Sequence, residues 1–125
     1  MSDNIIWTVA GRIKDGQRPA FDALMEEMVE TVRKEPGTIN YEWTIGQDNR
    51  TLQVYERYKD AQAAETHLPT WGSFSGRFTE VVDITGFVVY CDLPDNLREA
   101  VAGLNPVYMT PIGGFAKNGT GATGN

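Results

Sequence analysis

Residues 38–46, Thr38-Ile39-Asn40-Tyr41-Glu42-Trp43-Thr44-Ile45-Gly46, and residues 51–58, Thr51-Leu52-Gln53-Val54-Tyr55-Glu56-Arg57-Tyr58, decide the fold. In the first run Ile39, Tyr41, Trp43 and Ile45 alternate with polar neighbours; in the second, Leu52, Val54, Glu56 and Tyr58 alternate with Gln53, Tyr55 and Arg57. This period of two, with the turn Gln47-Asp48-Asn49-Arg50 between the runs, predicts an antiparallel hairpin. Its apolar faces coincide only when opposed residue numbers have an odd sum. The register that closes on the turn pairs Ile45 with Leu52, Trp43 with Val54 and Tyr41 with Glu56. A carboxylate then lies on the apolar face of the sheet.

Upstream, residues 4–13 read as a first strand, with Ile5, Trp7 and Val9 on one face and Ile6, Thr8 and Ala10 on the other. After the turn Lys14-Asp15-Gly16, Phe21, Leu24, Met25, Met28, Val29 and Val32 follow the 3.6-residue stripe of a helix. Pro19 suits its first turn and Glu35-Pro36-Gly37 stops it. Downstream, Asp60 is placed to cap a short helix over 61–66, ended by Pro69. A second helical segment carries Trp71, Phe74 and Phe78, continued by Val81 and Val82. Gly72 and Gly76 within it each cost about 1 kcal/mol of helix propensity. Residues 83–92 form the last main strand, with Ile84, Val88 and Tyr90 on one face and Thr85, Phe87, Val89 and Cys91 on the other.

The order β-α-β-β-α-β predicts an α+β, ferredoxin-like antiparallel sheet with helices on one face. The other face, read as carrying Tyr55, Phe87 and Val89 beside Asn40, Glu42 and Arg57, needs a cover, and a second copy packed through the sheet face supplies it. Residues 1–92 are read as this domain. Residues 93–116 form an extension packed on the same domain or on the partner subunit: a helix over 96–102 opened by Pro94-Asp95 and stopped at Gly103, then extended chain. Residues 117–125 have no apolar anchor and are expected to be disordered.

The 125 residues fit one core. A net charge of −6 argues against a nucleic-acid partner. One cysteine and one histidine leave no disulfide, zinc cluster or two-histidine metal helix within a chain. No secretory signal or membrane span is visible, so a soluble cytoplasmic protein is expected. Phosphate loops, dinucleotide fingerprints and nucleophile elbows are missing.

His67 is the one side chain whose ordinary titration range spans neutral pH. Its position between two helical segments lets its ring turn to the sheet, where Glu56 and Tyr41 are expected. A lone histidine at a helix end is equally at home as a structural residue, and Glu56 could be a rim carboxylate paired with Arg12 or Lys59. The aromatic set Trp7, Tyr41, Trp43, Tyr58, Trp71, Phe74 and Phe78 could be core throughout, or could in part line a slot for a flat aromatic ligand.

The runs Glu35-Pro36-Gly37-Thr38-Ile39-Asn40-Tyr41-Glu42, Val54-Tyr55-Glu56-Arg57-Tyr58-Lys59-Asp60 and His67-Leu68 resemble the antibiotic biosynthesis monooxygenase family, over residues 4–92. Met109-Thr110-Pro111-Ile112-Gly113-Gly114-Phe115 resembles the close of extended members classed as quinol monooxygenases. The resemblance implies a ferredoxin-like fold, a dimeric α/β barrel formed through the sheets, and oxygenation by O₂ of a small phenol, hydroquinone or polyketide-like substrate without flavin, haem or metal. In that reading His67 is the base or hydrogen-bond donor, Glu56 orients or tunes it, and Tyr41, Trp43, Trp71 and Phe74 bind the substrate. Haem-degrading relatives use an Asn within the first strand and a His well along the second helix. Here those places hold Trp7, Thr8 and Gly76-Arg77, so haem degradation is not expected. The alternatives are a non-catalytic or ligand-sensing dimeric module of the same fold and a small-metabolite isomerase.

Overall fold

The computed structural model describes residues 3–117. Five strands, β1 (Ile5–Ile13), β2 (Thr38–Ile45), β3 (Thr51–Tyr58), β4 (Val82–Val89) and β5 (Val107–Tyr108), form one open sheet in the order β2-β3-β1-β4-β5. Three helices, α1 (Arg18–Arg33), α2 (Ala61–Val81) and α3 (Asp95–Val101), complete the chain. β1 to β4 are antiparallel neighbours, and the short β5 adds in parallel to β4. The fold is ferredoxin-like. Within one chain the sheet does not close into a barrel.

The hairpin has the expected register: Ile45 opposes Leu52, Trp43 opposes Val54 and Tyr41 opposes Glu56. On the other side of β3, Trp7 of β1 opposes Glu56. Asp48 builds the turn. Its Oδ1 accepts the backbone N–H groups of Arg50 at 2.9 Å and Thr51 at 2.8 Å, the loop-closing habit of Asp in tight turns. Asn49 takes the left-handed conformation there, with φ of 60°.

All three helices cover the same face. Phe21, Leu24 and Met28 of α1 and Phe74, Phe78 and Val81 of α2 pack with Ile13, Leu52, Val54 and Val82. Leu97 and Val101 of α3 pack with Ile5, Trp7, Tyr58, Phe87 and Val89. The opposite face carries Ile6, Thr8, Ala10, Tyr55 and Val88, and among the described residues the three helices all pack on the other side.

Three expectations need correction. Phe87 and Val89 belong to the helix-covered face, not to the open one: they are 2% and 0% exposed. The cause is an irregularity in β4. Ala10 opposes Gly86 but Gly11 opposes Ile84, so Thr85 is an extra residue and the alternation of faces changes parity there. Val82 and Ile84 before the bulge therefore share a face with Phe87 and Val89 after it. Gly11 permits the close approach, since a Cβ at that position would stand 2.6 Å from Val82 Cγ1.

Secondly, α2 is one helix and does not break at Pro69. Ala64, His67, Trp71, Phe74, Phe78 and Val81 form one unbroken stripe at helical spacing, while Pro69 is exposed. On the solvent side the carbonyl that loses its N–H partner to proline is within reach of water, which lowers the cost of the ring. Asp60 does cap this helix, accepting the Ala63 N–H at 2.9 Å. Thirdly, Gly103 does not stop α3. A 3₁₀ turn, Ala102–Leu104, follows it, and Asn105 ends the segment with φ of 53°. Of the tail over 117–125, all but Lys117 lies outside the described residues. No helix among the described residues is long and apolar enough to cross a membrane.

The turn carries a pH signature. Hydrogen bonds from the Thr51 hydroxyl and from the Thr51 and Arg50 backbone amides hold the Asp48 carboxyl well below the usual carboxylate range. A carboxyl depressed in the folded state adds stability above its unfolded pKa, near 3.9, and loses it as pH falls through the folded value. Asp48→Ala should therefore lower the melting temperature at pH 7, and the gap to the parent protein should narrow progressively below about pH 4. Thermal melts by circular dichroism across that range check both parts.

Candidate active site

Glu56 is the buried carboxylate that the hairpin register places on the apolar face, and it is 6% exposed. A charge in such a place is tolerated only when donors replace the lost water. Here the Trp7 indole N–H donates to Oε1 at 2.9 Å and the Tyr58 hydroxyl donates to the same oxygen at 2.6 Å. Trp7 arrives from β1 because it opposes Glu56 directly, and Tyr58 lies two residues along on the same face. Both donors reach one oxygen, so Oε2 keeps its capacity for a further donor.

His67 sits in the second turn of α2, on the stripe that faces the sheet, and is 4% exposed. Its Nε2 lies 3.6 Å from Glu56 Oε1, an ion-pair separation but longer than a hydrogen bond. Its Nδ1 lies 3.0 Å from Glu35 Oε1 and 3.3 Å from Oε2. Glu35 follows α1 in the turn to β2, and the Thr38 hydroxyl donates to its Oε1 at 2.7 Å. Gly37 makes this approach possible: a Cβ there would collide with Ala63 Cβ on the first turn of α2. The imidazole is thus held between two carboxylates, each from a different part of the sheet side of the molecule.

Burial pushes the Glu56 carboxyl up, against the opposing pull of His67, Tyr58 and Trp7. Burial, followed by the charge of Glu56, also pushes the Tyr58 and Tyr41 phenols up, so both remain protonated donors at neutral pH. The Tyr41 ring stands edge-on to His67 at 5.7 Å and the Tyr58 ring lies at 5.2 Å.

Glu56 and His67 open onto a narrow cavity of about 30 Å³ that is partly open to solvent. Trp7 and Val9 of β1, Ile84 and Phe87 of β4, and Leu68 and Trp71 of α2 form most of its wall. Val101 of α3 and Leu104 of the following turn close the remaining side. The wall is apolar and aromatic, with the Glu56–His67 pair as its polar point, the composition of a small-molecule site.

Of the six residues singled out in the sequence, Glu56, His67 and Trp71 meet at this cavity. Tyr41, Trp43 and Phe74 do not line it. Phe74 is buried in the core between the two long helices and the sheet. Trp43 packs against Phe21 and Phe78, with ring centroids 5.8 and 6.0 Å away. Tyr41 reaches the back of the His67 ring and lines a separate cleft beside Val29, Val32 and Arg33. Sequence reasoning had used Glu35 only as a helix stop, and Trp7 and Tyr58 only as aromatics. The signal for Glu35 was present: a carboxylate immediately before Pro36-Gly37, in one of the runs that carry the family resemblance.

A model of the antibiotic biosynthesis monooxygenases matches residues 5–70, from β1 through the first half of α2. The chain belongs to the antibiotic biosynthesis monooxygenase family. The matched stretch contains Glu35, Glu56 and His67, whereas Trp71, Ile84, Phe87, Val101 and Leu104 lie beyond it. Among solved structures, MupZ from Pseudomonas fluorescens is similar over 93% of this chain and 91% of its own, with a TM-score of 0.82 at 22% identity. A Nitrosomonas europaea protein assigned to the antibiotic biosynthesis monooxygenases covers 76% of this chain and 95% of its own (TM-score 0.65, 19% identity). SnoaB from Streptomyces nogalater, a cofactor-independent oxygenase, covers 73% and 94% (TM-score 0.63, 10% identity). At these identities the likeness is one of fold. No curated protein matches the chain in sequence.

The raised Glu56 carboxyl has a measurable consequence. A carboxyl whose folded pKa exceeds its unfolded value binds more protons when folded, so stability falls as pH rises from about 4.3 through the folded value. Glu56→Gln keeps an acceptor for Trp7 and Tyr58 but removes this ionisation. Its melting temperature should fall less steeply than the parent's between pH 4 and 8. Equal slopes would show that Glu56 is not the carboxyl responsible.

Proposed function

We propose that this chain is a cofactor-independent monooxygenase that uses O₂ to oxidise a small aromatic phenol, hydroquinone or polyketide-like substrate. The observation that carries the reading is the buried Glu56–His67 pair at the polar point of an otherwise apolar, aromatic cavity. Membership of the antibiotic biosynthesis monooxygenases supports it. His67 Nε2, 3.6 Å from Glu56 Oε1 and without a hydrogen-bond donor of its own there, is free to accept the one proton of a substrate hydroxyl about 2.8 Å away.

In this mechanism His67 Nε2 takes the phenolic proton, and the electron pair stays on the substrate as a phenolate. Glu56 orients the hydroxyl and balances the imidazolium. The electron-rich anion then reduces O₂ directly. For a hydroquinone the products are a hydroxyquinone and water: one oxygen atom enters the ring, the other leaves as water with the protons that the substrate gave up. All four electrons come from the substrate, so no further reductant is required. Trp71, Trp7 and Phe87 form the walls against which the ring lies. Residues 93–116 are read as an extension that shapes this cavity.

The open sheet face, with Ile6, Ala10, Tyr55 and Val88, is the surface through which we place a homodimer, and the cytoplasm is the compartment in which we place the protein. Sedimentation at micromolar concentration should give a dimer mass; a monomer would remove this part of the reading.

Oxygen uptake by the purified, metal-free protein on a panel of hydroquinones and anthrones tests the activity. Uptake above the autoxidation blank is expected, and His67→Ala should lower turnover by about 10²-fold while leaving the assembly intact. Ligand-dependent quenching of tryptophan fluorescence with no uptake across the panel would replace the enzyme by a binding module.

A further inference from the structure

The site described so far uses one face of the His67 ring edge. Its other nitrogen, Nδ1, faces Glu35, which the proposed chemistry leaves without a role. Glu35 is not a cavity residue. It lines a different cleft on the outside of the molecule, with Pro36, Gly37, Lys59, Asp60 and Thr66. Its side chain is 11% exposed, so the carboxylate is nearly as deep as Glu56 but borders the exterior.

The geometry points to Glu35 as the positioning residue of His67: it fixes the proton on Nδ1 and so turns the Nε2 lone pair into the cavity. Three observations converge. The Glu35 oxygens lie 3.0 and 3.3 Å from Nδ1, which requires Nδ1 to be the donor when Glu35 is ionised. Thr38 donates to the same carboxylate, fixing its orientation, and the tight seat of Gly37 on Ala63 fixes the distance between the Glu35 turn and α2. Nε2, by contrast, stands 3.6 Å from Glu56 and lies on the cavity wall. A neutral imidazole cannot carry protons on both nitrogens, so a donor role at Nδ1 leaves an acceptor at Nε2. When Nε2 takes a proton, the adjacent Glu35 carboxylate stabilises the imidazolium that forms, as carboxylate–histidine pairs do elsewhere.

This inference rests on the proposed base role of His67 for its kinetic part, but not for its structural part. His67 is the only histidine in the chain, so its two ring nitrogens can be followed in a uniformly ¹⁵N-labelled protein without assignment. The groups that face the ring are Glu35 from the α1–β2 turn, Tyr41 from β2, and Glu56 and Tyr58 from β3. Long-range ¹H–¹⁵N spectra across pH 5 to 9 should show neutral His67 protonated at Nδ1. In Glu35→Ala the neutral form should gain the Nε2-protonated tautomer. Glu35→Gln, whose amide oxygen can still accept from Nδ1, should keep the parent tautomer and guards against a variant that merely misfolds.

In turnover, Glu35→Ala and Glu35→Gln should lower kcat by about 10–100-fold with little change in KM, and added formate or acetate should restore part of the loss in Glu35→Ala through the outer cleft. A parent protein whose neutral His67 carries its proton at Nε2, or a Glu35→Ala variant with an unchanged tautomer, would overturn the assignment. If the parent shows the expected tautomer but no substrate supports oxygen uptake, the oxygenase reading fails and the positioning role stands. If uptake is present and insensitive to Glu35, the positioning role fails and the oxygenase reading stands.

Discussion

A carboxylate in the middle of an apolar sheet face is the constraint on which the rest of this structure depends. Glu56 cannot be solvated there, so the neighbouring elements must bring donors to it. β1 brings the Trp7 indole and β3 itself brings the Tyr58 hydroxyl, while α2 sets the His67 ring 3.6 Å away. His67, buried in turn, is balanced by Glu35 at its other nitrogen. The result is a polar chain, Glu35–His67–Glu56, that crosses the packed layer from an outer cleft to an inner cavity. Burial of this chain rests on the donors at Glu56 Oε1 and on the Thr38 and His67 contacts of Glu35, and it leaves His67 Nε2 and Glu56 Oε2 with capacity for a further partner.

The cavity exists because the two halves of the core are separate. Under α1 the side chains of β2 and β3 pack densely with those of the long helices; under α3 those of β1 and β4 pack with Leu97 and Val101. Between them α2 carries His67 and Trp71 past the sheet without filling the space. Val101 and Leu104, from α3 and the turn after it, form one wall of the cavity.

Much of this was legible in the sequence. Alternation in the hairpin was enough to set the register, and the register alone placed Glu56 on the inner face opposite Tyr41. His67 followed from its being the one side chain whose ordinary titration range spans neutral pH. What parity cannot tell is how far across the sheet a residue lies. Tyr41 and Trp43 share a face with Glu56, yet β2 is the edge strand beneath α1, whereas the cavity lies over β1 and β4. Phe74 fails for a similar reason: one turn beyond Trp71, it points into the packed half of the core. Phe87 and Val89 were misplaced by a one-residue bulge, which leaves no mark in an alternation pattern except Gly11 on the neighbouring strand. The unbroken stripe from Ala64 to Val81 outweighs the helix-breaking habit of Pro69, and counting it across the proline would have joined the two segments.

The measurement that bears most directly on the account is a crystal structure of the protein with a hydroquinone bound under anaerobic conditions. The ring is expected against Trp71 and Phe87, with one hydroxyl oxygen about 3 Å from His67 Nε2. A ligand seated instead in the cleft beside Tyr41, or in the cavity with both hydroxyls turned away from His67, would contradict the account.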